Sequence, residues 1–215
     1  MIERYALLVA TSYLIGSIPF GLYAARRSLT TGPANYSANV APLDLYRRSA
    51  SDRSVAGLAF CLELAKGFVP ALMGYLTLGT AGAVGGGSAA LVGHNFPLFT
   101  RLQGSNSLAP LLGVLLAVYP IVVVILAMVW TAALAAWRYA SLAALVMAVV
   151  SPLALAALDV GGSQENLVIA AAVLWSLLVF FAHRENIRRL LNGREAMVNA
   201  TPSQRGGVSR SRRVR

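Results

Sequence analysis

The side chains best suited to chemistry sit in residues 183–195, HRENIRRLLNGRE. They follow the apolar run Asn166 to Ala182 without a break. His183, Glu185 and Asn186 therefore stand where a membrane helix leaves the bilayer. Asn186 comes three residues after His183, so a continuing helix puts both on one face. An imidazole and a carboxamide at that depth can hydrogen-bond a substrate that lies partly in lipid and partly in water. Arg184, Arg188 and Arg189 have a simpler reading, as the basic flank of a membrane span.

Three further stretches carry groups that could meet an anion. The segment from Ser28 to Ser54, about 27 residues, is long for a plain connection between helices. It is rich in Gly, Pro, Asn and Ser, which form turns. Its Ser37, Asn39, Arg47 and Arg48 offer hydroxyl, amide and guanidinium contacts to a phosphate; a connecting loop is the alternative. Residues 101–113, RLQGSNSLAPLLG, pass from a Gly-containing turn into a helix. Ser105, Asn106 and Ser107 are N-cap types, and a helix start offers N–H groups to an anion. Glu63 and Lys66 lie i, i+3 within an apolar run. An isolated charge there costs about 2.5–3.5 kcal/mol on insertion scales, so the two are expected to pair. The pair locks helix packing or turns Lys66 towards an anion. His94, in GHNFPLF, is expected to be a structural, hydrogen-bonded histidine.

These residues need elements to hold them, and composition says which. The chain has 215 residues, 57% hydrophobic and only 12% charged, against about 25% charged in soluble domains. Several runs approach the roughly 20 apolar residues that cross a bilayer. The expected fold is an all-α polytopic membrane bundle of about seven transmembrane helices. Residues 1–200 form one membrane domain and residues 201–215 a disordered basic cytoplasmic tail. No cleavable signal peptide is expected. Cys61 is the sole cysteine, which leaves no disulfide framework or cysteine metal cluster. The net charge of +10 suggests nucleic acid at first sight. Its placement in loops and at the C-terminus argues for membrane topology instead. Lys66 is the sole lysine among 18 basic residues.

The spans are expected at Tyr5–Ala25, loosened by Pro19 near its end, Val55–Leu78, Thr80–Phe99, two within Leu108–Trp137 with a turn near Pro120, Tyr139–Leu158 and Asn166–Ala182. Seven spans with the N-terminus outside put the C-terminus inside. Arg26, Arg27, Arg47, Arg48, Arg53, Arg101, Arg138 and every basic residue from Arg184 onward then share the cytoplasmic side. Asp159 and Glu165 fall in an outer loop.

The ordered segments resemble the bacterial acyl-phosphate:glycerol-3-phosphate acyltransferases, the PlsY family, over nearly the whole chain. Tyr13 to Pro19 with Gly21-Leu22 is similar to that family's first helix. Gly93-His94, Phe96-Pro97 and Phe99 are similar to the end of its third. Arg138-Tyr139 with Ser141-Leu142 is similar to the start of its sixth. HRENIRRLLNGRE is similar to its C-terminal motif. Tyr36 to Arg47 resembles its first cytoplasmic motif, GSGNxGxTNxxR, and keeps Ser37, Asn39 and Arg47. Gln103-Gly104-Ser105-Asn106-Ser107 stands where the family has its phosphate loop, KGGKG; Gly104 is kept and both lysines are absent.

The resemblance implies transfer of a fatty acyl group from acyl phosphate to the 1-hydroxyl of glycerol 3-phosphate. The product is lysophosphatidic acid for phospholipid biosynthesis. It implies a multi-pass protein of the bacterial plasma (inner) membrane, with membrane lipid around it, no nucleic acid partner, no metal and no organic cofactor. By resemblance Ser37, Arg47, His183 and Asn186 are the catalytic set. Asn39, Gly104, Asn106, Ser141 and Lys66 meet substrate or phosphate, and Glu185 and Glu63 brace the site. The absent loop lysines leave a second class open: a weak or inactive relative that binds lipid or a membrane protein partner.

Overall fold

The computed structural model describes residues 1–27, 52–100, 102, 104, 106–159 and 162–198. Ser37, Asn39, Arg47, Arg48 and the expected tail lie outside the described residues. Regular structure among the described residues is helical. In chain order the helices are α1 (Ile2–Ser17), α2 (Phe20–Arg27), α3 (Asp52–Asn95), α4 (Leu108–Val118), α5 (Pro120–Trp137), α6 (Ala140–Ala157), α7 (Glu165–Ala182) and α8 (Arg184–Leu191). Five segments are long and apolar enough to cross a membrane, and α4 is a shorter apolar helix. The chain is a multi-pass membrane helical bundle.

α3 is a hairpin, as expected from its two apolar runs. Gly79 turns it with φ 66° and ψ −153°, a backbone state open in practice only to glycine. The arms, 52–78 and 80–95, then run back along each other. A Cβ on Gly74 would strike the Gly82 carbonyl and the reverse, and one on Gly86 would strike the Pro70 carbonyl. The same device joins α1 to the second arm, where Gly16 meets the Ala90 carbonyl and Gly93 meets the Tyr13 carbonyl. It also joins α4 to the first arm, through Gly67 on Pro110 and Gly113 on Leu64. Lipid tails are as apolar as leucine, so burial alone does little to draw these helices together. Close backbone approach through small residues does. Around these crossings Leu91, Leu111, Leu115, Met147, Leu155 and Val179 fill the core.

One expected helix proves to be two. The first apolar run breaks at Ile18-Pro19, and Ile18 is extended at φ −66°, ψ 121°. Proline lacks an N–H and crowds the helical conformation of the residue before it. The chain restarts as α2, whose early N–H groups have no carbonyl within the helix. The division of 108–137 into two helices is as expected: Tyr119 separates α4 from α5, and Pro120 takes the first position of α5, where its missing N–H is harmless.

α4 has 11 residues, about 16 Å, or roughly half the apolar thickness of a bilayer. The segment before it is covered by protein, with Thr100 and Ser107 buried.

The glycine crossings predict a contrast. Gly67→Ala should destabilise the protein by about 1–3 kcal/mol, because a backbone carbonyl cannot move aside as a side chain can. Gly57→Ala meets nothing within 4 Å and should be neutral or stabilising by up to about 1 kcal/mol. Melting temperatures of the two purified variants check this; equal melting points would refute the packing argument.

Candidate active site

Two polar clusters stand out, one between α2, both arms of α3 and the loop before α4, the other between the start of α6 and α8. The first is built on the first arm of α3. Lys66 Nζ lies 2.9 Å from Glu63 Oε2, and the two residues are 3% and 4% exposed. The i, i+3 spacing brings them together on one helix face. Glu63 Oε1 accepts the Gly21 N–H at 3.0 Å, one of the early α2 donors freed by Pro19. Lys66 also stands 5.7 Å from the centre of the Phe20 ring. From the second arm, His94 Nδ1 lies 3.1 Å from Lys66 Nζ and 3.1 Å from Glu63 Oε2. His94 Nε2 lies 3.2 Å from the Asn106 carbonyl. A carbonyl only accepts, so Nε2 carries a proton there. Nδ1 faces the lysine and the Glu63 carboxylate at the same distance. The cluster ties α2, both arms of α3 and the loop before α4 into one unit.

The second cluster lies at the start of α6 and beyond α7. Glu195 Oε1 accepts the Ser141 hydroxyl at 2.7 Å and the Asn186 amide at 2.9 Å. Its Oε2 accepts Arg189 Nε at 2.7 Å. Burial alone would raise this carboxyl, but the hydrogen bonds from Ser141, Asn186 and Arg189 and the arginine charge hold it below the usual carboxylate range. Glu195 reaches this position because the end of α8 turns back. The Gly193 N–H donates to Leu190 and the Arg194 N–H to Arg189, with Gly193 at φ 63°. That is the Schellman arrangement, which needs a left-handed residue just past the cap.

His183 sits between α7 and α8 and is 2% exposed. Its Nδ1 lies 2.9 Å from the Val179 carbonyl, which places the proton on Nδ1 and leaves Nε2 as an acceptor. Burial pushes its pKa below the ordinary histidine value, and the Val179 carbonyl and the Glu195 charge recover only part of the shift. Phe181 stacks against Phe96, which follows the second arm of α3, with ring centres 5.7 Å apart. The two clusters thus share one end of the bundle.

The glycerol-3-phosphate acyltransferase family model matches residues 6–193. The chain belongs to that family. A glycerol-3-phosphate acyltransferase of Rhizobium etli is 36% identical over 190 residues, 87% of this chain and 88% of the relative. One of Geotalea daltonii is 33% identical over 189 residues, 87% and 94% of the two chains. Among solved structures, the glycerol 3-phosphate form of PlsY, an integral membrane glycerol 3-phosphate acyltransferase, superposes with a TM-score of 0.78 at 34% identity. It covers 90% of this chain and 95% of its own. The lysophosphatidic acid form gives 0.77 at 33%.

In this family member the expected site residues do not form a single group. Ser141 and Asn186 meet on one carboxylate, with His183 at the head of the same motif. Glu63 and Lys66 form the expected pair, and Asn106 joins them through its backbone carbonyl rather than its side chain. Gly104 is pressed against the carbonyls of His94 and Asn95, where a Cβ would collide. Ser37, Asn39 and Arg47 lie outside the described residues. Glu185, expected as a brace, stands 58% exposed beside Arg188 at 3.5 Å. The carboxylate that accepts from Ser141, Asn186 and Arg189 is Glu195, which the sequence reading passed over. Its signal was Asn192-Gly193, a helix stop that sends the chain back over the face holding Asn186.

Two measurements follow. Glu195→Gln should lower stability by about 1 kcal/mol or more, because the amide keeps an acceptor for Ser141 or Asn186 but turns an N–H towards Arg189. A melting temperature equal to that of the parent would remove the bracing role. Acidification should also destabilise the protein. The folded pKa of His183 lies below its unfolded value of about 6.5, so the unfolded chain takes up the proton first. Stability is full above that value and falls as pH drops through it. The Glu195 contribution persists through that window and is lost only as pH falls through its own depressed pKa. Melting curves taken from about pH 8 to 5 should decline, and His183→Gln should flatten the decline.

Proposed function

We propose that the chain transfers a fatty acyl group from acyl phosphate to the 1-hydroxyl of glycerol 3-phosphate, releasing lysophosphatidic acid and inorganic phosphate. The reading carries seven spans, an outer N-terminus and a site facing the cytoplasm across the bacterial inner membrane. The observation that carries it is a polar end in which His183, Asn186 and Ser141 converge, in a chain of this family along nearly its whole length. That convergence favours a working enzyme over an inactive relative.

The chemistry asks little of the protein beyond position and charge. Acyl phosphate is already activated. The acceptor oxygen bonds to the acyl carbon, the bond from that carbon to the phosphate oxygen breaks, and the hydroxyl proton ends on the departing phosphate. No covalent intermediate is required. Holding both reactants in line and stabilising the carbonyl and phosphate oxygens supplies the rate. His183 Nε2, left as an acceptor by the Val179 contact, receives the acceptor hydroxyl. Asn186 and Ser141, fixed by Glu195, orient polar groups of the substrate. Lys66 is committed to Glu63 and His94, so the phosphate cations come from arginine. Arg47, with Ser37, is the candidate, and guanidinium matches phosphate through paired hydrogen bonds. Arg48 and Arg101 are further sources.

Acyl transfer from palmitoyl phosphate to labelled glycerol 3-phosphate by the purified, detergent-solubilised protein tests this. The parent should form labelled lysophosphatidic acid. His183→Ala should lose about a hundredfold or more in kcat/KM, the scale of a lost transition-state hydrogen bond. A folded parent that forms no product, beside an active relative, would refute the reading.

A further inference from the structure

The end of α5 carries a charge that the reacting groups do not use. α5 has 18 residues, about 27 Å, close to the roughly 30 Å apolar thickness of a bilayer. Trp137 and Arg138 at its end therefore stand at the level of the lipid headgroups, where aromatic and basic side chains anchor a span. Anchoring of that kind needs only a positive charge that reaches water. It gives no reason for three features found at Arg138.

Arg138 closes α5 in the left-handed conformation, at φ 62° and ψ 11°. Helices that end this way usually end on glycine or asparagine, because a Cβ is disfavoured there. A cavity of about 380 Å³ opens beside it, lined by Thr131, Leu134, Ala135, Arg138 and Val198. Val198 is held as its far wall by Arg138 itself, whose carbonyl accepts the Val198 N–H at 2.9 Å. The Thr131 hydroxyl is already satisfied, since it donates to the Ala127 carbonyl at 2.8 Å. The guanidinium is thus the one cationic group among the lining residues. Among the described residues it has no ion-pair partner: Glu185 is taken by Arg188 and Glu195 by Arg189.

The helix face that leads to Arg138 fits the other half of a lipid. Val124, Met128, Thr131, Ala135 and Arg138 follow one another at intervals of four, three, four and three, so they share one face. All five are exposed. They cover about 21 Å of helix, more than the roughly 15 Å of hydrocarbon in one leaflet. The face is an apolar strip that ends in a guanidinium, whose fork of N–H donors matches phosphate. A cavity of this size takes a headgroup rather than a whole two-chain lipid. The sequence after Val198 adds five arginines and no acidic residue, which favours an anionic lipid over a zwitterionic one.

We propose that this face of α5 is a binding site for an anionic glycerophospholipid. Arg138 holds the phosphate, the headgroup occupies the cavity against Val198, and one acyl chain lies along Ala135, Thr131, Met128 and Val124. The site uses none of the groups placed in the reaction and does not depend on the acyltransferase reading.

The test uses the full-length protein in mild detergent, with a phosphatidylglycerol or a phosphatidylcholine of the same acyl chains added. Bound lipid is counted by native mass spectrometry. Melting temperature is read with each lipid and with inorganic phosphate alone. The parent should prefer phosphatidylglycerol and melt higher with it. Arg138→Gly should bind that lipid about five- to tenfold more weakly, the scale of one charge-assisted contact near a membrane surface. Its lipid-free melting temperature should stay level or rise, since glycine accepts the left-handed conformation. Arg138→Asn, which also tolerates that conformation, answers the same question should the glycine variant fold poorly. Ala135→Leu keeps the charge but narrows the cavity, and it too should weaken binding. Equal binding of the two lipids by the parent, or unchanged binding by Arg138→Gly, overturns the proposal. Weakened binding in Arg138→Gly with none in Ala135→Leu would show general attraction to a surface charge and overturn it as well. A rise in melting temperature that inorganic phosphate reproduces in full would make free phosphate the ligand, and the lipid site would fall.

Discussion

The structure hangs on the difficulty of placing Glu63 and Lys66 inside an apolar bundle. Neither charge is tolerable alone at that depth. Each must find its counter-charge and also fill its remaining hydrogen-bonding capacity. The i, i+3 spacing supplies the counter-charge at 2.9 Å. The remaining capacity is filled from elsewhere: the Gly21 N–H from α2, the His94 ring from the second arm of α3, and through that ring the loop before α4. Satisfying one ion pair thereby fixes four pieces of chain. The break at Pro19 belongs to the same solution, since it exposes the N–H that Glu63 accepts.

The rest of the bundle is held by contact rather than charge. Gly16, Gly67, Gly74, Gly82, Gly93 and Gly113 each place a neighbouring backbone carbonyl where a methyl group would have to sit. Such contacts are short and rigid. They set where the helix ends stand, and the helix ends carry the polar groups. At the far side of the site Glu195 plays the matching part, collecting Ser141 from α6 and Asn186 and Arg189 from α8 on a single carboxylate.

Much of this was legible in the residues. Apolar run length gave the helices, and glycine with proline gave the breaks at Gly79 and Tyr119-Pro120. The spacing of Glu63 and Lys66 gave their pairing, because i, i+3 contact is a property of one helix. His94 was legible only as a structural histidine, since its partners are 28 and 31 residues away in sequence. Glu195 was missed for a related reason. Its partner Ser141 lies 54 residues away, and its link to Asn186 depends on a left-handed turn at Gly193. Glu185 drew attention by standing next to Asn186 in sequence, yet neighbours on a helix point to different faces.

The sequence by itself determined the membrane class, the order of the helices, the local ion pair and the family, because run length, turn chemistry and ordered motifs are local. Only the tertiary structure decided which carboxylate collects Ser141 and Asn186, which nitrogen of His183 meets the backbone, and that Lys66 is occupied. It alone showed the cavity between Arg138 and Val198. These depend on what a side chain meets across the bundle, and a basic residue at the end of a span looks the same in sequence whether or not a cavity opens beside it.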